Sequence, residues 1–123
     1  MPNLTDSLGH EFSGTIAELG SGVTDLSPGQ KVAVFPVIAH GTCHWCSKEV
    51  YGMCESWGFL GYSGWGGGMA EYICVQKEAI HKIPENVPLD VAALVEPLAV
   101  AWHAVKLGKM EGSDTALVLG AGE

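Results

Sequence analysis

Between His40 and Cys54 the chain sets one histidine and three cysteines at spacings that suit a metal ion. Cys43 and Cys46 form a Cys-x2-Cys pair, His40 lies three residues before it, and Cys54 lies eight residues after Cys46. Donors three residues apart on a tight turn can face one ion, and a more distant fourth can close a tetrahedron. Soft thiolates with an imidazole favour zinc in that geometry. Four protein donors leave no open position, so such a site is structural. His44 is expected to face solvent, because its neighbour Cys43 already points at the ion. The competing reading is a cluster of unligated thiols.

Charge narrows the partners. The net charge is −8, with six lysines and no arginine, so nucleic acid and anionic membrane are not expected partners. No basic and apolar leader and no long apolar run is visible, which points to a cytoplasmic protein with neither signal peptide nor membrane span. In that setting the four cysteines are metal ligands or free thiols rather than disulfides. An apolar fraction of 47% is enough to build a core.

The chain otherwise alternates short strands with turns. Strands are expected over residues 10–19, with Gly14 at a bulge or close approach, over 31–35 ended by Pro36, over 69–75, and over 80–83 stopped by Pro84. Residues 57–68 form a glycine-aromatic loop in which Trp57, Phe59, Tyr62 and Trp65 read as a packing plug more than a substrate cleft. From Pro88 the character turns helical, first over 89–95 and then over 98–107. Pro97 is placed in the first turn of the second helix and Gly108 at its end. Thr115–Leu119 reads as a buried strand, followed by the Gly120-Ala121-Gly122 turn, a weak pyrophosphate signal on its own. The fold class is mainly β with α (α+β). The expected divisions are a β-rich domain over 1–88 that includes the lobe at 40–54, a helical connection over 89–113, and a first strand and turn over 114–123.

These residues together resemble the medium-chain, zinc-containing alcohol dehydrogenases. Gly9-His10-Glu11-Phe12-Ser13-Gly14, followed by Gly20 and Gly22-Val23, is similar to that family's zinc signature. Cys43, Cys46 and Cys54 are similar to its structural-zinc lobe, with His40 where a cysteine is usual. Glu96-Pro97-Leu98-Ala99-Val100 resembles the segment that closes its catalytic site, and Val118-Leu119-Gly120-Ala121-Gly122 the start of its nucleotide-binding fold. Gly64–Tyr72 and the Glu96 segment resemble most the 2,3-butanediol and sorbitol dehydrogenases. The resemblance implies a GroES-like β-barrel catalytic domain that ends at the first strand of a Rossmann domain.

It also implies site residues. His10 and Glu96 would hold a catalytic zinc ion, with Glu11 behind them or as an alternate ligand. His40, Cys43, Cys46 and Cys54 would hold a structural one. Gly120 and Gly122 would belong to an NAD or NADP site. A carboxylate in a stretch as apolar as Leu94–Val100 needs a partner, and a metal ion is one. The other reading of Glu96 is an acid at a helix N-terminus. His103, two helical turns after Glu96, is expected to be a packed, hydrogen-bonded histidine, and His81 a surface one. The family's further catalytic cysteine, upstream of Gly9-His10-Glu11, has no counterpart here, and Cys74 does not fit the role. The expectation is therefore part of a zinc-dependent oxidoreductase that moves hydride between a secondary alcohol or polyol and NAD(P). It would be inactive alone and homo-oligomeric when complete. The rivals are a non-catalytic zinc-binding module and, more weakly, a zinc-free reductase relative.

Overall fold

The computed structural model describes residues 7–62 and 65–120. Its organising element is β2, Lys31–Val34, in which Val32, Ala33 and Val34 are all buried. A strand with a neighbour on each side and cover on both faces reads as a continuous apolar run rather than an alternating one. β2 meets that description. It pairs antiparallel with β1, Ser13–Thr15, on one edge and with β5, Ile80–Lys82, on the other. In register, Gly14 faces Val32 and Ala33 faces His81. The expected bulge at Gly14 is not formed: its pairing is regular, and a Cβ there would meet nothing within 4 Å.

The chain leaves β2 through Phe35, whose amide donates to the carbonyl of Ala79, and the fully buried Pro36. It then enters a second, two-stranded sheet of β3, Val37–Ile38, and β4, Gly58–Phe59. The Cys-rich lobe is the excursion between those two strands, built on two short 3-10 turns at Cys46–Lys48 and Tyr51–Met53. The core lies between the sheets. Val34, Leu60 and Ala79 are buried there, with Phe12, Ile38, Ile73, Val75 and Ile80 packed around them.

Residues 69–75 were expected as a strand and are not one. Ile73 and Val75 do reach the core. The backbone at the start of the segment is spent on Leu8 and Gly9 instead, through Gly68 N–H to Gly9 O at 2.8 Å and Met69 N–H to Leu8 O at 2.9 Å. Among the described residues no strand lies beside it to form a ladder.

α1, Leu89–Ala92, docks on the sheet through Ala92, which is 1% exposed, and through the Ser13 hydroxyl, which donates to the Leu89 carbonyl at 2.5 Å. α2, Val95–Leu107, starts three residues earlier than the sequence suggests and takes Pro97 into its first turn. A proline costs little there, because the first amides of a helix lack intrahelical partners. Gly108 caps the helix in a right-handed conformation, and Lys109, at φ 51°, takes the left-handed position.

Beyond Glu96 and Pro97 α2 is exposed, including His103, which was expected to be packed. Leu98, Val100, Trp102 and Leu107 are all more than half exposed. Thr115–Leu119, expected as a buried strand, is neither paired nor buried, since among the described residues no neighbouring strand receives it. The accessible surface is 9315 Å², whereas a compact chain of 12.9 kDa exposes about 6,300 Å². An apolar helix and an apolar segment lie open in that surface, and a helix apolar all round is ordinarily a buried one. No helix among the described residues is long and apolar enough to cross a membrane.

This surface predicts strong fluorescence enhancement of an apolar dye by the chain. Leu98→Gln with Trp102→Gln should lower that signal. Because neither side chain is buried, stability should change by only about 0.5 kcal/mol.

Candidate metal centres

Two groups of donors assemble, and they differ in kind. The first lies in the lobe. Donor atoms of His40, Cys43 and Cys54 fall within 4.8 Å of one another. Cys46, the fourth expected donor, falls outside that group, although its sulfur lies 3.6 Å from that of Cys43. A disulfide needs about 2.05 Å between sulfurs. Two thiolates on one zinc ion at about 2.3 Å stand roughly 3.8 Å apart. The Cys43–Cys46 separation matches the second and excludes the first, and all four cysteines of the chain are unpaired.

The lobe's turns explain the convergence. The 3-10 turn at Cys46–Lys48 reverses the chain directly after the Cys-x2-Cys pair, and Glu49 closes it in a left-handed conformation with its amide on the Cys46 carbonyl. The second turn then brings Cys54 back beneath. Cys46 and Cys54 are buried, Cys43 is half-buried and His40 is exposed. Backbone amides of Cys46 and then Glu55 point at the Cys43 sulfur and lower its thiol from its usual value to about 6. Burial first, and then the sulfurs of Cys43 and Cys54, push the Cys46 thiol up. One sulfur is thus ready as a thiolate near neutrality, while the buried one releases its proton most readily to a cation. His44 faces solvent as expected, edge-on to Trp45 at 5.2 Å.

The second group joins opposite ends of the sequence. Donor atoms of His10, Glu11 and Glu96 lie within 4.8 Å of one another. His10 and Glu96 are half-buried and Glu11 is exposed. His10 is held from beneath. Gly9, at φ 90°, turns the chain ahead of it, and the His10 ring meets Phe59 edge-on at 5.1 Å. The backbone of Leu8 and Gly9 lies directly on the glycine-aromatic loop. A Cβ on Gly61 would fall on the Gly9 backbone, and one on Gly67 would fall on the Leu8 carbonyl. The Gly67 amide donates to the Ser7 hydroxyl at 2.8 Å, beside the Gly68 and Met69 bonds already described. Trp57 stacks at a tilt on Phe59 at 5.8 Å, and Trp65 lies over Gly58, but Trp57, Tyr62 and Trp65 are all exposed, so the expected packing plug is only partly formed.

Glu96 arrives from the other side. The Ser13–Leu89 bond fixes α1 against β1, and α2 follows almost at once, so its first turn stands beside His10. A helix N-terminus also favours a carboxylate, and Glu96 stands in the first turn of α2.

The remaining sequence candidates separate from these groups. Cys74 is exposed and lines a small cavity with Trp65 and Val75, away from both donor groups. His81 and His103 are exposed and in neither group. Gly120 has φ 79°, in keeping with a glycine turn, while Gly122 lies outside the described residues. Sequence reasoning did not assign Phe59 to His10, nor Gly61 and Gly67 to the bed beneath Gly9. Their signal was the glycine density of residues 58–68.

Both donor sets fit zinc by their chemistry. Three sulfurs and an imidazole make a closed tetrahedral set, and an imidazole with carboxylates makes an open one of the kind that leaves room for a further ligand.

Residues 1–85 match the alcohol dehydrogenase GroES-like domain family. Over 94% of its length the chain is 42% identical to the (R,R)-butanediol dehydrogenase of Bacillus subtilis, of which it covers 32%. Its fold superposes on galactitol-1-phosphate dehydrogenase from Escherichia coli with a TM-score of 0.77 and 43% identity, over 84% of this chain and 30% of that one. It superposes on a zinc-binding dehydrogenase from Sinorhizobium meliloti, described bound to NADP, with a TM-score of 0.74 and 36% identity, over 81% and 29% of the two chains. The chain thus spans about a third of the length of the relatives it matches.

The bed beneath His10 gives a direct expectation. Gly61→Ala forces a Cβ into the Gly9 backbone from a residue at φ 70°. It should destabilise by about 1–3 kcal/mol in urea titration. Gly14→Ala, with open space around it, should change stability by less than about 1 kcal/mol.

Proposed function

The chain belongs to the alcohol dehydrogenase GroES-like domain family, and from that membership we propose that it is the metal-bearing part of a zinc-dependent oxidoreductase. The reaction is hydride transfer between a small secondary alcohol or polyol and NAD or NADP. The observation that carries the reading is the convergence of His10, Glu11 and Glu96. A structural module needs only the lobe. It has no use for a second, open donor set assembled from residues so far apart in the sequence.

The two centres have separate tasks. His40, Cys43, Cys46 and Cys54 would hold a closed zinc ion that fixes the excursion between β3 and β4. Structural zinc contributes about 10 kcal/mol or more in small folding units, which is ample for a lobe with few buried side chains. His10 and Glu96 would hold the second ion. When bound there, zinc supplies Lewis acidity toward a substrate oxygen, which is what hydride exchange with a nicotinamide requires.

The chain's own residues prepare that chemistry. Phe59, edge-on to the His10 ring at 5.1 Å, would steady the imidazole for the ion. Glu96 balances the ion's charge from a helix N-terminus. Glu11, exposed beside them, would orient His10 or serve as an alternate ligand. The substrate class follows the names of the relatives from Bacillus subtilis and Escherichia coli, and a nicotinamide cofactor is in keeping with the NADP described bound to the Sinorhizobium meliloti protein. Turnover belongs to the longer protein. The open apolar surface of α2 and of residues 115–119 supports that view, because the cofactor turn at Gly120 has no sheet around it among the described residues.

Zinc counting tests the assignment. The dialysed chain is expected to retain two zinc ions. His10→Ala with Glu96→Gln should reduce this to one, while Cys43→Ser with Cys46→Ser should remove the other and expose the lobe to protease. A single ion that is indifferent to His10 and Glu96 would support the structural-module reading instead. The unextended chain should form no NADH or NADPH from 2,3-butanediol, and robust turnover would overturn that part of the proposal.

A further inference from the structure

The lobe and the His10 group are joined by a chain of contacts that neither assignment requires. The lobe returns to the fold through the turn from Cys54 to Trp57. Two bonds fix that turn. The Glu55 amide points at the Cys43 sulfur, and the Trp57 amide donates to the Cys54 carbonyl at 3.0 Å. Cys43 and Cys54 are both donors of the lobe's group. The turn is therefore held as firmly as those two residues are.

Trp57 stands two residues before Phe59, and residues so spaced along an extended chain share a face. Their rings meet at 5.8 Å with 39° between the planes, and Phe59 meets the His10 ring edge-on at 5.1 Å. Ring pairs attract one another at such separations. Trp57 is 43% exposed, so filling the core does not explain a tryptophan there. Its contact with Phe59 does.

An ion gives this chain of contacts two states. From residue 40 to residue 54 only Cys46 and Cys54 are buried, and both are expected donors. With so little apolar burial, the lobe's order comes chiefly from whatever its donors hold. Empty, it leaves the 54–57 turn anchored on free thiols. Filled, it anchors the turn on sulfurs that an ion has pinned.

We propose that Trp57 is a positioning residue that carries the state of the lobe to the His10 group: an ion in the lobe fixes the 54–57 turn, the turn seats the indole on Phe59, and Phe59 steadies the His10 ring. The inference rests on reading the lobe as a zinc site and His10 as a donor. It goes further in joining the two centres. Such coupling is reciprocal, so an ion in either centre strengthens the other by the same factor.

The ring carbon–proton signals of His10 in the 123-residue chain test this as zinc is added. Glu11→Gln with Glu96→Gln first removes the carboxylates beside His10, so that the first equivalent of zinc enters the lobe. That equivalent should shift and narrow the His10 signal. Trp57→Ala should abolish the response while the lobe still gives sulfur-to-cobalt charge-transfer absorption, and Trp57→Phe should restore it. With both carboxylates in place, Trp57→Ala should weaken zinc at the His10 group by about 10-fold in chelator competition. A His10 response that survives Trp57→Ala, or no response once the lobe is loaded, would overturn the role of Trp57 while leaving the zinc sites standing. Loss of sulfur-ligated cobalt in Trp57→Ala would make Trp57 part of the lobe's own fold and overturn the proposal as well. A parent chain with no sulfur-ligated cobalt would overturn the zinc reading of the lobe and this proposal with it.

Discussion

The structure depends on a contact between two stretches of backbone with no side chain between them. Leu8 and Gly9 lie on Gly61 and Gly67 so closely that a single Cβ on either loop glycine would occupy the place of a main-chain atom. Glycine makes that approach possible, and the amides of Gly67, Gly68 and Met69 then satisfy the polar groups brought together. The same loop follows directly on β4, the strand that closes the Cys-rich excursion. One contact therefore links the lobe to His10. Phe59, at the end of β4, touches the imidazole itself.

The two donor groups differ in how the chain assembles them. The lobe gathers its donors within fifteen residues of sequence, on turns whose only purpose is reversal, and offers a closed set. The His10 group gathers donors from a segment before β1 and from the first turn of α2. It becomes possible only when α1 is fixed on β1 by Ala92 and by the Ser13–Leu89 bond. Such a set depends on the whole fold being formed, and it leaves coordination positions for something other than protein.

Much of this was legible in the sequence, and for physical reasons. Ligand spacing in the lobe is local, so Cys43, Cys46 and Cys54 could be read directly. Pro36, Pro84 and Pro97 punctuate the backbone where proline geometry requires, and β2 and β5 follow. The α+β class holds. The failures concern partners that the sequence does not contain within reach. Residues 69–75 have strand composition, but the first amide, that of Met69, is taken by Leu8, just after that of Gly68 is taken by Gly9. Thr115–Leu119 has the apolar run of a buried strand and no neighbour to pair with among the described residues. His103 sits on an apolar helix that nothing covers there. The meeting of Phe59 with His10, and of Gly61 with Gly9, joins distant segments and becomes visible only when the chain is folded. His40 falls between the two cases. Its spacing marked it as a donor, but the turn at Gly41, at φ 82°, that folds Thr42 back onto its ring was not legible.

The central claim is that one short chain carries two zinc centres of different kinds. Anomalous diffraction across the zinc edge, on crystals of the zinc-loaded chain, tests it most directly. The account predicts two peaks per chain, one among His40, Cys43, Cys46 and Cys54 and one between His10 and Glu96. A peak at the lobe alone would contradict it, as would the absence of any peak beside the three sulfurs.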